Sequence, residues 1–189
     1  MENPEGVKLD QGVSLKPSLI NPRNKDLIIE KLKLLATSRL QCVQMDDIIE
    51  IFSEPAINSY MITLIQAISI LIHRSHTGPD WSQLQKQSKN GIQFLQDLWR
   101  INKMPEDLPE DLISEIEKIL PNNPNNKEAL IRSSRASPGL YYWLKLYLKI
   151  MKIRLNFSKI EKISLQRNKA RRIFLHLFMK TRKSNLKLI

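Results

Sequence analysis

Between Ile57 and His73 the chain carries Met61, Ile62, Leu64, Ile65, Ile68, Leu71 and Ile72. At 3.6 residues per turn these positions cover most of a helix circumference, whereas a surface helix keeps one polar face. A helix of this kind has to be surrounded, so the rest of the chain must supply partners on several sides. The run includes Thr63, Gln66 and Ser69 and is too short to span a bilayer. The constraint is therefore a buried helix inside a helical bundle.

The remaining segments read as those partners. Asn24 to about Ile51 is predicted to be mainly helical, with Asp26 near its start. Its imperfect apolar stripe runs through Leu27, Ile28, Leu32, Leu35, Leu40, Val43 and Ile48. Pro55 ends or bends it. Ser75 to Asp80 is a turn, followed by short helices over Trp81–Gln87 and Gly91–Trp99, with Asn90-Gly91 as punctuation. Glu110, Asp111 and Glu115 fall in the first turns of a helix carrying Leu112, Ile116, Ile119 and Leu120, where acidic groups suit the helix dipole. PNNPNN, residues 121–126, reads as a stop and loop.

Lys127 to Lys152 has two halves. The first is polar and basic, with Arg132 and Arg135 three apart and so expected on one helical face. The second has Leu140, Trp143, Leu144, Tyr147, Ile150 and Met151 at helical steps. Pro138 and Gly139 between them predict a kink. The same spacing also describes a core helix with a solvated basic start. From Ser158 to about Arg182 the pattern predicts a further basic helix with Ile160, Ile163, Ile173, Phe174, Leu177 and Phe178, and SNLKLI at the end is expected to fray. The sum is an all-α chain of five to seven helices in one small bundle, preceded by a mobile lead-in over residues 1–23.

Charge is uneven. The net charge of +11 rests on the last quarter, where 14 Lys and Arg from Lys145 onward meet one acid, Glu161. Such a tail suits an acidic partner: nucleic acid, an anionic membrane or an acidic polymer. Cys42 is the lone cysteine, which excludes an internal disulfide and fits a reducing compartment. MENPEGVKLDQG has neither a basic nor an apolar leader segment, so no secretory signal is expected.

The sequence lacks both GxxxxGK[ST] and GxGxxG, which argues against nucleotide hydrolysis. His73 and His76 stand three apart, but Thr77-Gly78-Pro79 follows at once and no second ligand pair is near, so solvated histidines are the reading rather than a metal site. Glu106, Asp107, Glu110 and Asp111 read as capping and solubility rather than a carboxylate site. The expectation is a chain that is not an enzyme, with no cofactor and no metal.

A series of short motifs then gives a resemblance. In chain order they are Asp47-Ile48-Ile49-Glu50-Ile51, Gln66-Ala67-Ile68-Ser69-Ile70-Leu71, Asp80-Trp81, Phe94-Leu95-Gln96-Asp97-Leu98, Met104-Pro105, Asn123-Pro124 and Ala136 through Trp143. Over residues 47–152 the chain resembles the stalk tip of the axonemal dynein heavy chain: the end of one coiled-coil helix, the microtubule-binding head and the start of the second coiled-coil helix. The resemblance implies an entering helix over 24–54, a helical head over 55–137, an antiparallel leaving helix over 138–157, and a basic helical tail over 158–189 outside the match. It also implies a tubulin-facing surface. Arg132 falls at a basic position that the family uses against tubulin, and Arg135 and Lys127 join it by helical spacing.

Two positions depart from the family. Ile62 stands where a tubulin-contacting lysine is usual, and Ile57-Asn58 replaces paired prolines. The motor ring has no counterpart. The expected function is a non-catalytic microtubule-binding module, a short isoform or fragment of an axonemal dynein heavy chain. Its expected setting is the cytoplasm and cytoskeleton, including the cilium axoneme, with other dynein subunits as further partners and no membrane. Two alternatives stay open: an inert fragment with a foldable head, and a basic nucleic-acid-binding protein acting through residues 167–187.

Overall fold

The computed structural model describes residues 24–54, 57–87, 91–121 and 123–185, with side chains described as far as 174 apart from Gln87. The expected lead-in over 1–23, the stop at Pro55, the punctuation at Asn90 and the side chains of Leu177 and Phe178 lie outside this description. So do residues 186–189 of the expected frayed end. The described residues form eight helices: α1 (Lys25–Gln41), α2 (Met45–Ser53), α3 (Ser59–His73), α4 (Trp81–Gln87), α5 (Ile92–Lys103), α6 (Glu110–Ile119), α7 (Pro124–Ile131) and α8 (Ser137–Asn185). Of the described residues 81% are helical and none lies in a strand.

Helix α3 is surrounded, as its apolar circumference requires. Met61, Leu64, Ile65, Ala67, Ile68, Ile70 and Leu71 are buried, and α5, α6, α7 and α8 all pack on it. Its start is fixed by Asn58, whose side-chain oxygen accepts from the Tyr60 N–H at 2.9 Å. It stops at Arg74, which takes the left-handed conformation (φ 52°) that commonly closes helices.

Helices α1 and α8 run antiparallel. Lys25, at the start of α1, reaches Phe157 and Glu161; Arg39, near its end, lies over Tyr142. Trp143 of α8 is fully buried, and its indole N–H donates to Asn102 of α5 at 3.1 Å. The Asn102 amide in turn donates to Thr37 of α1 at 2.9 Å, so one part-buried polar relay joins three helices.

Five sequence expectations need correcting. The described residues form eight helices where five to seven were expected. Residues 24–51 are not one helix: the chain breaks at Cys42–Gln44 before α2 begins. Gly139 of α8 sits against that break. A β-carbon there would lie 2.6 Å from Val43 Cγ2 and 2.9 Å from the Arg39 carbonyl oxygen, so only glycine permits this approach. Nor does Pro138 kink a helix; it stands in the first turn of α8, where its missing N–H costs no helical hydrogen bond.

Likewise Asn123-Pro124 is not loop but a helix start. The Asn123 side chain accepts from the Asn125 N–H at 3.0 Å, and Pro124 opens α7. Finally, the leaving helix and the basic tail are one helix. α8 crosses residues 157 and 158 without interruption and spans about 73 Å at 1.5 Å per residue.

Candidate functional site

The three cationic candidates sit where α7 gives way to α8. Helix α7 ends because Arg132 is already its capping residue, and the Ser133 hydroxyl donates back to the Leu130 carbonyl at 2.7 Å. Ser134 Oγ then accepts from the Ala136 N–H at 3.1 Å, shaping the turn. Ser137 is buried, with its hydroxyl 2.9 Å from that of Ser133 and 3.1 Å from the Met61 sulfur. The turn is thus pinned to α3 by small polar side chains. Arg132 and Arg135 therefore do not share a helical face as their spacing suggests: the first closes α7 and the second lies in the turn.

Arg132 is exposed, with 78% of its side chain accessible. Its guanidinium is 2.5 Å from Glu128 one helical turn earlier, and both groups stand in solvent. Arg135 is exposed beside a cleft of about 280 Å³ between the α2–α3 connection and the turn. Asp47, Glu50 and Glu54 line the same cleft. Lys127 points elsewhere: its ammonium lies 5.8 Å from the Tyr142 ring centroid on α8. The three residues are neighbours in sequence, but no contact joins Lys127 to the arginines. Ile62 is half-buried on α3.

The acidic cluster before and within α6 has a role that sequence reasoning missed. Each carboxylate meets a basic side chain from another element: Glu106 with Arg74, Asp107 with Arg154 at 2.9 Å, Glu110 with Lys159 at 2.5 Å, and Asp111 with His76 at 3.5 Å. Glu115 adds a second contact to His76 at 2.5 Å, and Glu117 holds Lys152 at 2.5 Å. Helix α6 is therefore clipped to α8 on one flank and to the α3–α4 loop on the other. The signal in the sequence was the excess of lysine and arginine on α8, but the pairing needs the fold. The hydrogen bond that the His76 ring donates to the Glu115 carboxylate holds the His76 pKa above its ordinary value; desolvation opposes this, and the charges of Glu115 and Asp111 add to it.

Little else is built for chemistry. Among the described residues no group of three His, Cys, Asp or Glu is placed to hold a metal ion. Cys42 is exposed and its thiol donates to the Ser38 carbonyl. Tyr147 is buried, which pushes its hydroxyl pKa up to about 12. Among the described residues no helix is long and apolar enough to cross a membrane. No family model, curated protein or solved structure matches the chain.

Proposed function

We propose that the chain is a non-catalytic binding module of the dynein stalk-head kind, which docks on the acidic surface of a microtubule with Arg132 as its leading contact. The observation that carries this reading is the order of parts. In chain order the small helices α2–α7 fall between α1 and α8, which pack antiparallel, and the ordered motif series of the resemblance runs through those same elements.

The chemistry of Arg132 is compatible with docking. Its present partner, Glu128, is an exposed i,i+4 neighbour, and such pairs contribute about 0.3–0.5 kcal/mol. A carboxylate on the partner can replace it at little cost and accept both guanidinium N–H groups at once. Asp47, Glu50 and Glu54 in the neighbouring cleft repel an acidic surface, so they restrict contact to the α7 side and orient the docked module.

The test is microtubule co-sedimentation near physiological salt with the wild-type chain, Arg132→Glu and Arg171→Glu/Arg172→Glu. The expected result is saturable pelleting that Arg132→Glu weakens at least about tenfold, the scale of one charge-assisted contact reversed. Loss confined to the tail variant would instead make α8 a nonspecific polycation. No pelleting by the folded wild type would leave an inert head.

A further inference from the structure

We propose that a second cationic surface, centred on Tyr142 and formed jointly by α1, α7 and α8, binds an acidic peptide segment. Three helices build it. Arg39 of α1 and Lys127 of α7 both lie over the Tyr142 ring, at 5.4 Å and 5.8 Å from its centroid. Lys145 and Lys149 follow on the exposed side of α8, one turn apart, and with half-buried Leu146 they line a groove of about 360 Å³ beside Tyr142.

Among the described residues the charges of this surface are not answered by carboxylates, in contrast to the neighbouring cations of α8. The other α8 cations of this region are taken: Lys152 by Glu117, Arg154 by Asp107, and Lys159 by Glu110. Among the described residues Arg39, Lys127, Lys145 and Lys149 have no carboxylate partner. Glu117 also borders the groove, but it is engaged by Lys152. Four like charges held on three packed helices raise the local potential, and an anionic ligand relieves it.

The groove favours carboxylates over nucleic acid. Bases need an open aromatic face to stack on, and the Tyr142 ring already carries two cations. Three of the four cations are lysines, compact point charges that each pair with a single anionic oxygen. The apolar floor of Tyr142 and Leu146 accepts the methylene stems of glutamate side chains. This surface does not depend on the microtubule reading, because its ligand is an acidic peptide in solution and Arg132 plays no part in it.

The experiment is fluorescence anisotropy of a labelled polyglutamate peptide with the full chain at low salt. Lys145→Glu/Lys149→Glu should weaken binding about tenfold, the scale of two exposed charge pairs lost. Arg132→Glu and Arg171→Glu/Arg172→Glu should each stay within about twofold of wild type. Lys145→Gln/Lys149→Gln, which removes charge without reversing it, should weaken binding about threefold and serves if the glutamate variant fails to fold. Three results would each overturn the proposal: no binding by the folded wild type, loss confined to the tail variant, or tighter binding of an oligothymidylate through Lys145 and Lys149.

Discussion

The two halves of α8 have similar sequences and opposite environments. From Leu140 to Phe157 the helix buries Trp143, Leu144, Tyr147, Leu148, Ile150, Met151 and Ile153. Beyond it, Ile160, Ile163, Leu165 and Ile173 are at least half exposed, Ile163 at 50% and Ile173 at 62%. Both halves alternate apolar and basic residues at helical steps. The difference lies in what accompanies them. Helix α1 begins at Lys25, opposite Phe157 and Glu161, so among the described residues nothing of α1 covers α8 past that point. Amphipathic spacing states which residues can be buried together; the reach of the partner helix decides which ones are.

The contrast makes its largest prediction in the core of the near half. Trp143→Ala removes a fully buried indole and strands the Asn102 acceptor, and should cost about 3–5 kcal/mol. Ile163→Ala in the far half should stay within about 0.5 kcal/mol. Urea midpoints with unchanged slope read both. Comparable losses from the two substitutions would mean that the far half is covered in solution, and the contrast would fail.

A smaller effect sharpens where the cover ends at the other side. Gly139→Ala places a methyl group against Val43 and the Arg39 carbonyl, and the helix pair must part to admit it. The expected loss is about 1–3 kcal/mol, the range for overpacking a close contact. The same substitution made together with Val43→Ala should recover part of it, since the nearest clashing atom is removed. No recovery would place the strain on the carbonyl instead.

These residues also show what the sequence could and could not reveal. The all-round apolar pattern of Met61 to Ile72 implied a buried α3 without any tertiary information. The antiparallel packing of α1 on α8 had no signature in periodicity or composition. The break at Cys42–Gln44 was not legible, because no proline or glycine marks it; its glycine is Gly139, far away in sequence and visible only once α1 and α8 touch. Asn123-Pro124 and Pro138 were misread for one reason: proline stops a helix at its interior and starts one at its first turn, and local pattern alone does not say which.

For the candidate site, residue type was legible and grouping was not. Arg132, Arg135 and Lys127 look adjacent on a continuous helix. Ending that helix at Ile131 sends Lys127 toward Tyr142 and Arg135 toward an acidic cleft. Lys145 and Lys149 could be placed on the outer face of α8 from spacing, but Arg39 and Lys127 join them only through packing.

The smallest predicted effect concerns the clips that hold α6 in place beside the near half of α8. His76 contacts Glu115 and Asp111 on α6, and its pKa is raised from 6.5, chiefly by the hydrogen bond with Glu115. The protonated form is thus favoured in the folded state. Its contribution is fully present below about pH 6.5, the unfolded value, and is lost as pH rises through the higher folded value. The side chain is 58% exposed, so solvent and salt screen the effect. Unfolding midpoints measured from about pH 6 to about pH 8 should therefore decline slightly in the wild type relative to His76→Gln. His73 and His176 are common to both proteins and cancel in the difference. Identical slopes would show that α6 keeps its place through its apolar face, Leu112, Ile113 and Ile116, and that the clip to the α3–α4 loop contributes nothing measurable.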